Sequence, residues 1–127
     1  MMTVLDYFER VQVLASGLSG VGIERYEEQV FSRERGNLRL RLRFLDNSML
    51  EISEAIQIVG GSLAWLSYRY HYQNPDGSVI FRYDNAPHHA EISTHPEHKH
   101  VKESVLGAVR PDIEWIFVEV SGHLQRL

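Results

Sequence analysis

The chain has 127 residues, of which 43% are hydrophobic, and a formal net charge of −4 at pH 7. This length predicts one domain, residues 1–127, with a core of its own, and the acidic charge argues against a protein that coats nucleic acid by bulk positive charge. Residues 64–110 are balanced in charge before their six histidines are counted, so a local anion site stays open. The absence of cysteine excludes a disulfide framework and a thiolate metal site, and it is typical of the reducing cytoplasm, where we expect the protein to act.

The first predicted element is a helix near the N-terminus. Val4, Phe8, Val11 and Ala15 recur at helical spacing, and Thr3 in front of them is a favourable N-cap residue. The glycine-rich segment GLSGVG that follows lacks the order of a nucleotide-binding loop, so we interpret it as a connector.

The clearest predicted strand is LRLRLRF, residues 38–44, in which apolar and charged residues alternate. Its polar face carries Arg39, Arg41 and Arg43. These arginines either form a solvated sheet face paired with carboxylates such as Glu27 or Glu51, or they form a surface for RNA or a partner.

Turn residues bound this strand on both sides. Gly36-Asn37 precede it and Asp46-Asn47 follow it, and both pairs are common in turns. Together with the flanking apolar segments, they predict a meander of three strands.

The next two strands are predicted to form a hairpin around Asn74-Pro75-Asp76-Gly77, where Pro and Gly occupy favourable turn positions. A two- or four-residue loop would separate the aromatic residues from the charged ones, whereas a three-residue loop with a glycine bulge would mix the two sets. The clean segregation favours the first register. That register gathers four polar residues on one face: Arg69, His71, Arg82 and Asp84.

Two prolines, Pro87 and Pro96, interrupt the segment after the hairpin, so residues 85–101 are predicted to form a loop along the end of the sheet. A final helix is predicted after Pro111, with one apolar face made of Ile113, Ile116, Phe117, Val120 and Leu124. A buried strand in WIFVEV is the alternative for this segment. The expected fold class is α+β, with an antiparallel sheet of about five strands flanked by an N-terminal and a C-terminal helix.

Histidines are concentrated in the predicted loop: five of the seven lie between residues 88 and 100. His95, His98 and His100, completed by Asp84 or Glu97, could surround a metal ion, although their spacing matches no strong zinc signature. Without a metal, two histidines could act as base and acid on a phosphodiester that is held by Lys99 or Arg82. Histidines on a solvated loop are the third interpretation.

The segment YRYHYQNPDGSVIFRYDNAPHH, followed by EISTHPEHKHV, resembles the TumE family. These are small toxin-like proteins of prokaryotic toxin–antitoxin modules, usually encoded beside a helix-turn-helix antitoxin. The resemblance covers residues 68–101 closely, extends loosely through the preceding strands and fits the terminal helix. Members often have an aromatic residue before the second proline and a histidine after it; here these positions are His95 and Glu97, which weakens a role for His95.

The resemblance implies a toxin, and ribonuclease-like action on RNA is the expected activity. The matching positions are Arg82, Asp84, Asn85, His88, His89, His98, Lys99 and His100. We expect His98, His100, His88 and Asp84 to be catalytic, and Arg82, Lys99, Asn85, His89, His71 and Arg69 to bind substrate.

We expect no cofactor and no metal. The expected partners are a helix-turn-helix antitoxin and an RNA substrate. No apolar run approaches the roughly 20 residues that cross a bilayer, so no membrane partner is expected, and a homodimer is left open. Two alternatives remain: a non-enzymatic module whose histidine loop binds an antitoxin or another partner, and a metal-dependent hydrolase with histidine ligands.

Overall fold

The computed structural model describes residues 1–124 and consists of two helices and a seven-stranded antiparallel sheet. The elements in chain order are α1 (Val4–Ser16), β1 (Val21–Ser32), β2 (Arg35–Phe44), β3 (Met49–Val59), β4 (Ser62–Gln73), β5 (Val79–Asp84), β6 (His98–Val101), β7 (Ser104–Gly107) and α2 (Ile113–His123). Each strand pairs with the next one along the chain, so the sheet is a meander. No helix in this described range is long and apolar enough to cross a membrane.

Both helices pack on one face of the sheet. The predicted N-cap is confirmed, because Thr3 and Asp6 form a capping box at the start of α1. The alternation in β2 buries Leu38, Leu40 and Leu42 under the helices, as the period of two predicted. The opposite face of the sheet is left polar.

The predicted facing of the hairpin is confirmed, because Tyr72 pairs with Phe81 and Tyr70 with Tyr83 on the core side, while His71 pairs with Arg82 on the other side. The predicted loop length is wrong. Next to the turn, Gln73 pairs with Val79 and the Asn74 N–H donates to the Ser78 carbonyl, the spacing of a three-residue loop, and a bulge between Tyr72 and Gln73 restores the facing. A bulge at Leu66 in β4 then lets Trp65 and Tyr68 both face the core despite their odd separation.

The fold class is confirmed, but the strand count is seven and not five. The two additional strands, β6 and β7, come from residues 98–107, so the prediction of a loop over residues 85–101 is wrong for its last four residues. His98 and His100 pair with Asp84 and Arg82 of β5. A strand of four residues is too short to show a hydrophobic period in the sequence.

Two further details differ from the predictions. Gly36 lies inside β2 and the chain turns at residues 33–34; a Cβ at Gly36 would approach the Phe8 ring to 3.1 Å and the Gln29 carbonyl oxygen to 2.9 Å, so the glycine allows close packing. Pro111 precedes the N-cap Asp112 of α2. The terminal helix is present, which makes the alternative strand wrong.

Candidate active site

Polar side chains cover the sheet face that points away from the helices. Cross-strand pairing aligns them in two neighbouring rows, and directly opposite residues point to the same side. The first row contains Glu27, Arg39, Ser53, Arg69, Asp84 and His98; the second contains Arg25, Arg41, Glu51, His71, Arg82 and His100.

Carboxylates neutralise only some of the arginines on this face. Arg41 pairs with Glu51 at 3.0 Å, as the sequence suggested, while Glu27 pairs with Arg25. Arg43 is bound by Glu24. Among the arginines of the two rows, Arg39, Arg69 and Arg82 form no salt bridge in the described chain. These guanidinium groups are therefore available to an anion along the first row and beside the histidines.

His98 is the buried centre of the histidine cluster. Its Nε2 lies 3.0 Å from Oδ1 of Asp84, and its Nδ1 lies 2.8 Å from the carbonyl oxygen of Pro96. Both partners are acceptors, so both contacts are hydrogen bonds only when both ring nitrogens carry a proton. Since only 2% of the residue is exposed, His98 is better placed to shape the site than to contact a substrate.

His89 and His100 surround His98 at the edge of the cluster. The ring centroids lie 5.0 Å apart for His89 and His98, 4.8 Å for His98 and His100, and 5.7 Å for His89 and His100. Nδ1 of His89 donates to Glu91 at 3.3 Å, so its Nε2 is free for other contacts. The loop after β5 thus brings His89 to the two histidines of β6.

The surroundings of His100 favour its neutral form. Partial burial and then the positive charge of His98 lower the pKa of His100, with smaller contributions from Arg82 and His89, while Asp84 acts in the opposite direction. Nε2 of His100 lies 3.7 Å from Asp84 Oδ2. A partly exposed histidine with a lowered pKa is mostly unprotonated at neutral pH and can accept a proton.

Arg82 is held in place by His71. Its Nε donates to Nδ1 of His71 at 3.1 Å, and Nε2 of His71 donates to Gln73 at 2.8 Å. Burial lowers the pKa of His71, which is consistent with the neutral tautomer that these bonds require. The terminal nitrogens of Arg82 remain available for an anion, and burial together with the neighbouring Arg69 lowers the pKa of Arg82.

These groups line one open cleft of about 560 Å³. The predicted site residues that line it are Arg69, Arg82, Asp84, Asn85, His88, His89, His98 and His100. His88 is exposed at the rim. The volume is that of a site for a small organic ligand or a nucleotide-sized segment.

Some predicted site residues have other contacts. Lys99 points to the helix side of the sheet, where its Nζ donates to Glu119 at 2.6 Å and lies 4.7 Å from the centre of the Tyr83 ring. Asn85 lines the cleft but binds the backbone of β4 at Tyr68 and Leu66. His95 is exposed and is not among the cleft residues. Lys99 therefore does not join the cluster, because adjacent residues of a strand point to opposite faces.

Sequence reasoning missed two features of this face. Glu91, which holds His89, lies in a loop with no periodic pattern that could have indicated it. Ser53 aligns with Arg39 and Arg69 only through strand register, which the sequence of β3 did not fix.

The cluster also has the composition of a metal site. Ligand atoms of His89, His98 and His100 lie within 4.8 Å of one another, and small side-chain movements could close them on an ion such as Zn²⁺. Both ring nitrogens of His98 already have acceptors, in Asp84 and the Pro96 carbonyl, so one of these contacts would have to be given up for an ion.

A family model described as "Toxin TumE" matches residues 11–124 of the chain. This match includes the whole polar face and both parts of the histidine cluster. No curated protein and no solved structure shows a significant match.

Proposed function

The chain belongs to the TumE family of toxins, and on that basis we propose that it is an RNA-cleaving toxin whose active site is the histidine cleft. The observation that carries this proposal is the juxtaposition of His89 and His100, with rings 5.7 Å apart, beside Arg82, which pairs with His100 across the strands and lines the same cleft. Two proton carriers next to a guanidinium that no salt bridge engages in the described chain suit a phosphodiester.

The proposed reaction uses the 2′-hydroxyl of the RNA as the nucleophile. His100, in its neutral form, takes the proton of this hydroxyl as the 2′-oxygen attacks phosphorus. The bond between phosphorus and the 5′-oxygen breaks, and His89 or His88 donates a proton to that leaving oxygen. The products are a 2′,3′-cyclic phosphate and a 5′-hydroxyl end, so no oxidant, cofactor or added water is required in this step.

The remaining polar groups position these reacting groups. Arg82 binds the non-bridging phosphate oxygens and stabilises the charge that develops on them. Asp84 holds His98 and lies next to His100, so it fixes the ring orientations. His98 is in this scheme a positioning residue, because it is buried.

Membership of a toxin family implies an antitoxin partner. We propose that the antitoxin is a helix-turn-helix protein and that the toxin meets both antitoxin and RNA in the cytoplasm.

The test is induced expression in a bacterial host, with wild type compared with His100→Ala and with His95→Ala as a matched control outside the cleft. We expect the wild type and His95→Ala to reduce viable count and His100→Ala to be harmless at equal expression. Purified protein should cleave RNA to 2′,3′-cyclic phosphate ends only when His100 is present. Equal toxicity of all three proteins, with intact RNA, would refute the proposal and favour a non-enzymatic binding module.

The spacing of His89, His98 and His100 supports one second candidate, a metal-dependent hydrolase. Its test is elemental analysis of the purified protein together with the effect of a chelator. Stoichiometric metal that is lost in His89→Ala, together with cleavage abolished by the chelator, would favour this candidate; chelator-resistant cleavage would exclude it.

A further inference from the structure

The polar face continues beyond the histidine cleft as a groove across β2, β3 and β4. Arg39, Ser53 and Arg69 line this groove, and both Ser53 and Arg69 also line the cleft. The two depressions therefore share a border, and a ligand bound at the histidines can extend towards Arg39.

Strand register spaces the positive groups evenly along this path. Arg39 pairs with Ser53, Ser53 with Arg69, Arg69 with Asp84 and Asp84 with His98. Neighbouring strands lie 4.7–4.9 Å apart, so the backbones of Arg39 and Arg69 are separated by about 10 Å, as are those of Arg69 and His98. Ser53 is small and leaves a gap between the two guanidinium groups.

The two arginines on this path form no salt bridge in the described chain. Two carboxylates lie near them, but Glu51 at the groove is bound to Arg41, and Asp84, opposite Arg69, is bound to His98. Arg39 and Arg69 are exposed, and neither is bound by a carboxylate of residues 1–124, although Arg25, Arg41 and Arg43 on the same face are. The side chains that would neutralise a plain solvated face are thus engaged elsewhere.

We propose that Arg39 and Arg69 form a second phosphate subsite above Ser53, which holds the backbone of a single-stranded RNA next to the cleavage site. This inference rests on the proposed function for the identity of the polymer. The cleft of about 560 Å³ has the size of a site for one nucleotide-sized segment, so we expect a single strand to fit better than a duplex.

Recognition at this subsite depends on phosphates and not on bases. Stacking platforms for single strands require exposed aromatic rings. Within the described chain no aromatic side chain lines the groove at Arg39 and Arg69, and Tyr68 of the adjoining cleft is buried and stacks on Tyr70 in the core. Binding should therefore tolerate different base sequences and weaken steeply with salt.

The test measures binding of a 2′-O-methyl RNA oligonucleotide, which cannot be cleaved through its 2′-position, as a function of salt. We expect Arg39→Gln to weaken binding about tenfold, as loss of one charge-assisted contact predicts, and to reduce the slope of log K against log salt by about 0.7. Arg33→Gln, at the exposed turn between β1 and β2, removes the same charge elsewhere and should bind like wild type.

Several outcomes would overturn the subsite. These are wild-type affinity in Arg39→Gln, an equal loss in Arg33→Gln, no binding of the oligonucleotide at all, or tighter binding of a duplex of the same sequence.

The two proposals fail separately. If the wild type cleaves RNA but Arg39→Gln binds RNA equally well, the subsite is refuted and the proposed ribonuclease activity is supported. Binding that depends on Arg39, without any cleavage, would support the subsite and refute the ribonuclease.

Discussion

Asp84 Oδ1 lies 3.0 Å from Nε2 of His98, and the other ring nitrogen of His98 lies 2.8 Å from the carbonyl oxygen of Pro96. Asp84 also accepts a hydrogen bond from the backbone N–H of Ala86. This carboxylate thus joins the last residue of β5, the first residue of β6 and the start of the loop that carries His88 and His89. The same interaction stabilises the strand pair and shapes the cleft.

Removing Asp84 should destabilise the protein. Asp84→Ala leaves a buried ring nitrogen of His98 without its acceptor, which costs about 1–3 kcal/mol. Asp84→Asn should cost less, because its amide oxygen still accepts from His98. Urea denaturation checks both variants, and equal stability of wild type and Asp84→Ala would contradict this hydrogen bond.

The acid limb of the cleavage pH profile should report His100. Because burial and positive neighbours lower the pKa of His100, kcat/KM should fall only below about pH 6.5, the ordinary range of histidine. His98, His89, Arg82 and Asp84 all contribute to this value. Arg82→Gln removes a positive charge and should move the limb to higher pH.

Asp84→Asn removes the negative charge that raises the pKa of His100. It should therefore move the acid limb to lower pH. Arg33→Gln, far from His100, provides the matched control with an unchanged limb. A limb that does not respond to either cleft variant would show that another group is the base.

Arg82→Lys should impair cleavage while leaving the fold intact. Lysine keeps the charge but cannot donate to His71 and bind a phosphate through a planar fork at the same time. We expect kcat/KM to fall at least about tenfold, equivalent to one charge-assisted hydrogen bond, with the free energy of unfolding changed by less than about 1 kcal/mol. Activity close to that of wild type would mean that a point charge suffices there.

Glu54 is a buried carboxylate on the helix side of the sheet. It accepts hydrogen bonds from the hydroxyls of Tyr7 at 2.7 Å and Tyr70 at 2.5 Å and from the indole of Trp65 at 2.6 Å. Glu54→Leu leaves three buried donors without an acceptor and should lower the free energy of unfolding by at least about 3 kcal/mol. Glu51→Gln, on the exposed face, should change stability by no more than about 0.5 kcal/mol.

The same carboxylate should make stability depend on pH. Burial raises the pKa of Glu54 despite its donors, so the folded protein binds more protons than the unfolded chain above the ordinary pKa of glutamate. The free energy of unfolding contributed by Glu54 therefore falls as pH rises through this interval. Denaturation of Glu54→Gln at a series of pH values should lack this decline; an identical pH dependence would contradict it.

Local patterns in the sequence determined much of the sheet. The alternation of leucine and arginine over residues 38–44 was long enough to fix which face of β2 is buried, because the side-chain period of a strand is two. In the hairpin, the segregation of aromatic from charged residues predicted the facing that places Arg82 beside His71, whereas the bulge between Tyr72 and Gln73 was not predicted. These features depend on residues close together in the chain.

The tertiary structure alone decided the site. Residues 98–101 are too few to show a period, so the sequence placed Lys99 with its histidine neighbours, whereas pairing with β5 directs Lys99 to Glu119 on the other face. The same pairing brings His98 and His100 to Asp84 and the loop histidine His89. The alignment of Arg39 with Arg69 likewise depends on the register of three strands. Contacts between distant segments are set by hydrogen bonding and packing of the whole sheet, and no local pattern specifies them.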